Sequence, residues 1–187
     1  MSLLAGRSAV VTGGLVAIDG GEGTATTSGT VKIRSANAGA NGASGMLVFS
    51  SGTTSKGNSG MVMIGSGAAT VGRGGSVAIS VGSGNSGAGG YMSLLAGRSA
   101  VVTGGLLTLA SGEGTATTSG HVKLRSANAG ADGASGSLTF SSGTSSSGNS
   151  GAVLVGSGNA VDGTGGLLSL TVGSGNVGAG GAVVVTS

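Results

Sequence analysis

The sequence predicts an all-β fold: a parallel β-solenoid, or β-helix, of about twelve 15-residue coils with a flattened two-sheet cross-section. Three observations lead there. The chain repeats itself at an offset of 91 residues, and each block divides again into units of fifteen or sixteen residues. Within each unit two apolar residues alternate with others at period two, which is the signature of a strand with one buried face. Glycine recurs at fixed unit positions where the chain has to turn.

The duplication is explicit. MSLLAGRSAVVTGG at 1–14 returns unchanged at 92–105, GEGTATTSG at 21–29 returns at 112–120, and RSANAGA at 34–40 returns at 125–131. The blocks therefore run 1–91 and 92–182, continuous with each other, and 183–187 begin a further coil. The first block reads as units 15–29, 30–45, 46–60, 61–75 and 76–90, and the unit 91–105 leads into the second. The consensus is x-Φ-x-Φ-x-small-Gly, then small or polar residues, then a Gly/Ser pair.

Unit positions two and four carry the apolar pairs Val16/Ile18, Val31/Ile33, Leu47/Phe49, Val62/Ile64, Val77/Ile79 and Met92/Leu94, continuing to Val183/Val185. Between the two copies these columns exchange only aliphatic residues, as Ile18 with Leu109 and Val77 with Leu168. The intervening positions exchange freely: Thr30 with His121, Met46 with Ser137, Met61 with Ala152, Tyr91 with Ala182. The first set is expected inside and the second outside. Glycines at positions seven and fifteen are expected to make two corners per coil. Parallel stacking at ~4.8 Å per coil then predicts a rod of roughly 58 Å. A three-sided coil is the alternative cross-section.

Composition bounds the remaining possibilities. Glycine fills 45 of 187 positions, proline and cysteine none, and charged residues 7%. The lack of proline and of a Gly-X-Y period excludes collagen, and 38% hydrophobic residues argue against a disordered linker. Without cysteine there are no disulfides or thiolate metal sites. The net charge of +3 is spread along the chain, and two Phe and one Tyr offer little for stacking bases, so no nucleic-acid partner is expected. No apolar run approaches the ~20 residues of a membrane span. MSLLAG at the start recurs at 92–97, so it reads as repeat and not as a targeting peptide, and the chain is expected to be part of a longer array.

No enzyme, cofactor or metal is expected. His121 is the sole histidine and faces Thr30 in the other copy. Asp19, Asp132 and Asp162 face Ala110, Asn41 and Val71 and sit on different coils, so no carboxylate pair for acid–base work survives the comparison. GSGNSG at 82–87 and GSGNVG at 173–178 match G-x-G-x-x-G, but no helix follows to bind a dinucleotide, and they read as corners. Arg7 with Glu22, and Arg98 with Glu113, are expected to pair across adjacent coils. Lys32 and Arg34, repeated as Lys123 and Arg125, point outward as basic spots; a solvated face is the first expectation, and docking spots for a partner are the alternative. Exposed Ser and Thr leave O-glycosylation open.

By parity, Leu15, Met46, Val48, Met61, Met63, Tyr91, Leu106, Leu154 and Leu167 belong on the outward face, and so large an apolar stripe points to a packing face, with cover by a flanking segment as the alternative. Lateral or end-to-end packing against copies of itself or related solenoids is therefore expected. The function that follows is a structural rod module of an extracellular filament, appendage or adhesin stalk. Ice binding is the alternative, although Thr-x-Thr occurs only at Thr24/Thr26 and Thr115/Thr117. GSGNSGAGG, GEGTATTSG and SSGTTSKGNSG resemble the Gly/Ser-rich tandem repeats of extracellular surface proteins of algae and other stramenopiles. That resemblance covers the whole chain and implies an extracellular or cell-surface structural setting, such as hair-like appendages. The basic pair in the 30–45 and 121–136 units departs from a generic repeat of that kind.

Overall fold

Each repeat unit turns the chain once. The computed structural model describes residues 2–10 and 12–186. After a first bend at 9–10, the backbone bends at 24–26, 40–41, 55–57, 70–72, 85–87, 100–102, 115–117, 131–132, 146–148, 161–163 and 176–178. The interval is one sequence repeat throughout, and the bend falls at unit positions ten to twelve. Chain contacts divide the molecule into two units, Met1–Met92 and Ser93–Ser187.

In six units the bend sits at the head of an arch whose neck is made by the two recurrent glycines. The Gly29 N–H donates to the Gly21 carbonyl at 2.7 Å, Gly14 to Gly6 at 2.8 Å, Gly105 to Gly97 at 2.8 Å, Gly120 to Gly112 at 2.9 Å and Gly181 to Gly173 at 3.0 Å. In every case unit position fifteen reaches back to position seven. At Gly14, Gly29 and Gly105 the approach is close enough to demand glycine at the closing position. A Cβ on Gly29 would lie 2.9 Å from the Gly21 nitrogen, and one on Gly105 would lie 3.0 Å from the Gly97 nitrogen. At Gly21 and Gly97 themselves a Cβ would meet nothing within 4 Å. The two glycines thus differ in what they do, one chosen for space and the other free.

Small residues line the inside of most necks, with Val81 and Val172 taking that place in units 76–90 and 167–181. A Cβ at the closing glycine would stand 3.1 Å from the Cβ of Ser66 at Gly75, 3.3 Å from Ser35 at Gly45, and 3.5 Å from Ser51 at Gly60. Ser66 Oγ also donates to the Gly75 carbonyl at 2.8 Å. At the bend, a hydroxyl at position nine accepts from backbone N–H groups just beyond it. Ser99 Oγ accepts from Val101 at 3.3 Å and Val102 at 3.0 Å, and Thr54 Oγ1 accepts from Gly57 at 3.2 Å. These are ST-type turns, in which a short side chain supplies the acceptor that the backbone lacks.

The 16-residue units close differently. In 30–45 the extra residue produces a hydrogen-bonded turn at 40–41, where Gly42 N–H donates to the Gly39 carbonyl at 3.4 Å. The matching turn of the second copy lies at 131–132.

The expected β-solenoid is not what the chain forms. Among the described residues there are no helices, strands or sheets, and no backbone hydrogen bond joins one unit to the next. A parallel ladder needs neighbouring coils ~4.8 Å apart exchanging bonds along their length; here every backbone bond between described residues lies within a single unit. The two-corner coil is corrected with it, because there is one bend per unit and the glycines at seven and fifteen face each other across its neck. The positive φ values lie at the bend instead: Gly72 at 123°, Gly87 at 88°, Gly148 at 110° and Asp162 at 59°.

No described residue is buried, hydrophobic or polar. The chain exposes 18293 Å². A folded globule of 16.9 kDa would expose about 7,700 Å² and the unfolded chain about 24,500 Å². Only about a quarter of the available surface is therefore removed from water, against roughly 70% for a packed domain of this size. Two aliphatic side chains per unit, set among glycines that lose much backbone entropy on ordering, give too little apolar area to hold coil against coil.

Candidate association surface

The aliphatic arm precedes the neck in each unit, and a trace of the period-two pattern survives there. The position-two residues Val16, Val31 and Leu47 are 43%, 46% and 47% exposed. Leu15 and Met46, at position one, are 87% and 85% exposed. Alternation thus biases exposure without creating an inside, since nothing covers the less exposed set.

Leu15, Met46, Val48, Met61, Met63, Tyr91, Leu106, Leu154 and Leu167 are all exposed. Of these, Met63 joins Phe49, Val62 and Ile64 around an open groove of about 340 Å³ in the first unit. That groove mixes residues expected inside with one expected outside. The parity rule therefore does not separate two faces here.

The bends contribute apolar surface that the period-two reading passed over. Val10, Val71, Val101, Val161 and Val177 stand almost fully in solvent at or beside unit position eleven. Their signal was present as valine recurring in an otherwise Gly/Ser/Thr stretch. The small residues of the neck were legible as the consensus "small" at position six; there, Ala5, Ser35, Ser51, Ala96 and Ser126 are among the least exposed residues of the chain.

Lys32, Arg34, Lys123 and Arg125 are exposed on the aliphatic arms. Among the described residues no ion pair forms, so the expected pairs Arg7–Glu22 and Arg98–Glu113 are not made. They depended on stacked coils, and the coils do not stack in a ladder. His121, Asp19, Asp132 and Asp162 are exposed, and the described residues contain no group of three or more His, Asp or Glu placed to hold a metal ion. Thr24/Thr26 and Thr115/Thr117 form the bends at 24–26 and 115–117, so each Thr-x-Thr curves with the backbone. No helix among the described residues is long and apolar enough to cross a membrane.

No known protein family, characterised protein or solved structure matches this chain.

Proposed function

We propose that the chain is a structural repeat module of an extracellular filament, appendage or adhesin stalk, and that it associates with copies of itself through its aliphatic arms. The observation that carries this reading is the exposure of every large apolar side chain among the described residues. Monomeric soluble proteins seldom leave contiguous apolar patches beyond a few hundred Å². A standard interface buries only ~1,600 Å², far less than the excess surface of this chain. Side-to-side or end-to-end contact between arrays is the economical way to remove that surface from water. The tandem design suits the task because each unit carries its own bend and aliphatic arm, and adding units adds contact area in proportion. The cell-surface setting rests on the resemblance of the Gly/Ser-rich phrases to algal surface repeats.

Sedimentation velocity across a concentration series, with negative-stain electron microscopy of the same samples, tests this. Filaments or paired particles growing with concentration are expected, and Leu106→Asp with Leu167→Asp should suppress them. A single slow-sedimenting species at every concentration would refute the reading.

A further inference from the structure

We propose that Asn41 is a site of spontaneous deamidation, through attack by its neighbouring backbone nitrogen, which gives the first copy the charge that Asp132 carries in the second. Of the eight asparagines, Asn41 alone precedes glycine. It stands exposed in the turn at 40–41, open to water. The nitrogen that must act is that of Gly42, and no Cβ shields it from Asn41. Its N–H reaches the Gly39 carbonyl at 3.4 Å, beyond the usual N–H···O range. That proton is therefore held far less firmly than those of the neck glycines at 2.7–3.0 Å.

The step balances with water as the only co-reactant. Gly42 N gives its proton to solvent base and bonds to Asn41 Cγ. The Cγ–Nδ2 bond breaks, and Nδ2 takes a proton and leaves as ammonia. The resulting five-membered succinimide is opened by water. Breaking its bond from Gly42 N to Cγ gives aspartate, and breaking the bond from Gly42 N to the Asn41 main-chain carbonyl gives isoaspartate.

The duplication shows that the aspartate product fits. Asp132–Gly133 occupies the equivalent turn at 131–132. A Cβ on Gly42 would meet only the Ala38 Cβ, at 3.7 Å, and one on Gly133 would meet only the Ala129 Cβ, also at 3.7 Å. The two turns thus have the same local room. Conversion lowers the formal charge from +3 by one, and isoaspartate adds a backbone methylene at the turn.

The test is to incubate the intact purified chain in mildly alkaline buffer and follow the tryptic peptide Ser35–Lys56 by mass spectrometry. The peptide also contains Asn37, which precedes alanine and serves as an internal standard. Asn41 is expected to convert at least an order of magnitude faster than Asn37, with isoaspartate as the main product, resistant to cleavage by an Asp-specific protease. Gly42→Ala, for which the turn has room, should bring Asn41 down to the Asn37 rate. Equal rates at Asn41 and Asn37, or a Gly42→Ala chain that deamidates as fast as the parent, would overturn the proposal.

Discussion

Replacing Gly29 by alanine should open the arch of unit 15–29, whereas the same change at Gly21 should leave it closed. A Cβ at Gly29 lies 2.9 Å from the Gly21 nitrogen and 3.4 Å from its oxygen, and both obstacles are backbone that cannot rotate aside. Relieving the clash means separating the two strands of the neck and giving up the 2.7 Å bond from Gly29 N to Gly21 O. Such a bond contributes about 1 kcal/mol net, which corresponds to roughly a fivefold fall in amide protection. At Gly21 a Cβ meets nothing within 4 Å, so Gly21→Ala should be neutral, or stabilising by ~0.4–1 kcal/mol through the unfolded chain. Amide hydrogen exchange read by NMR at residue 29 distinguishes the two. The second copy grades the effect. A Cβ at Gly120 meets the Ser111 Cβ at 3.3 Å and the Gly112 nitrogen only at 3.5 Å, so Gly120→Ala should lose less protection than Gly29→Ala. Unchanged exchange in Gly29→Ala, or an equal loss in Gly21→Ala, would show that the neck is not what holds the arch.

Four further outcomes follow from the bends and necks. Gly87 has φ of 88°, so Gly87→Ala should cost ~1–2 kcal/mol locally, seen as faster exchange around 85–87 by NMR. Asp162 is the one non-glycine described with positive φ, at 59°. Asp162→Gly should therefore slow exchange at 161–163, and faster exchange there would contradict the assignment of strain. Ser66→Ala removes the 2.8 Å bond to the Gly75 carbonyl and leaves that neck with the longer 3.4 Å Gly75–Gly67 bond. Loss at the low end of ~0.5–1.5 kcal/mol is expected because the site is exposed, measured as a shift of the Gly75 amide. Ser99→Ala deprives Val101 and Val102 N–H of their acceptor. The temperature dependence of both amide shifts should then rise toward values for solvated groups, while Ser93→Ala serves as an exposed control.

The local grammar of this protein was readable from residues alone, and the long-range pairing was not. A fifteen-residue period with one sixteen-residue unit per block sets where every bend falls, because the residues that make a bend lie within the bend. Ser99 and Thr54 turn the chain with hydroxyls two or three residues from the groups they bind. Closing glycines are also legible, although their use is different: Gly29 meets Gly21 across a neck, where two separate corners were expected. The small residue at position six, seen in the consensus, lies beside the closing glycine in other units, as Ser66 does at Gly75 and Ser51 at Gly60. Strand pairing between coils could not be read from x-Φ-x-Φ, since alternation describes one strand and a ladder requires two. Val16 and Ile18 have the right spacing, but among the described residues no backbone hydrogen bond reaches another unit to turn that spacing into a sheet. With 45 glycines and two aliphatic columns, ordering costs more entropy than the thin apolar area offsets, so the backbone bonds between described residues stay within single units and the aliphatic arms stay in water.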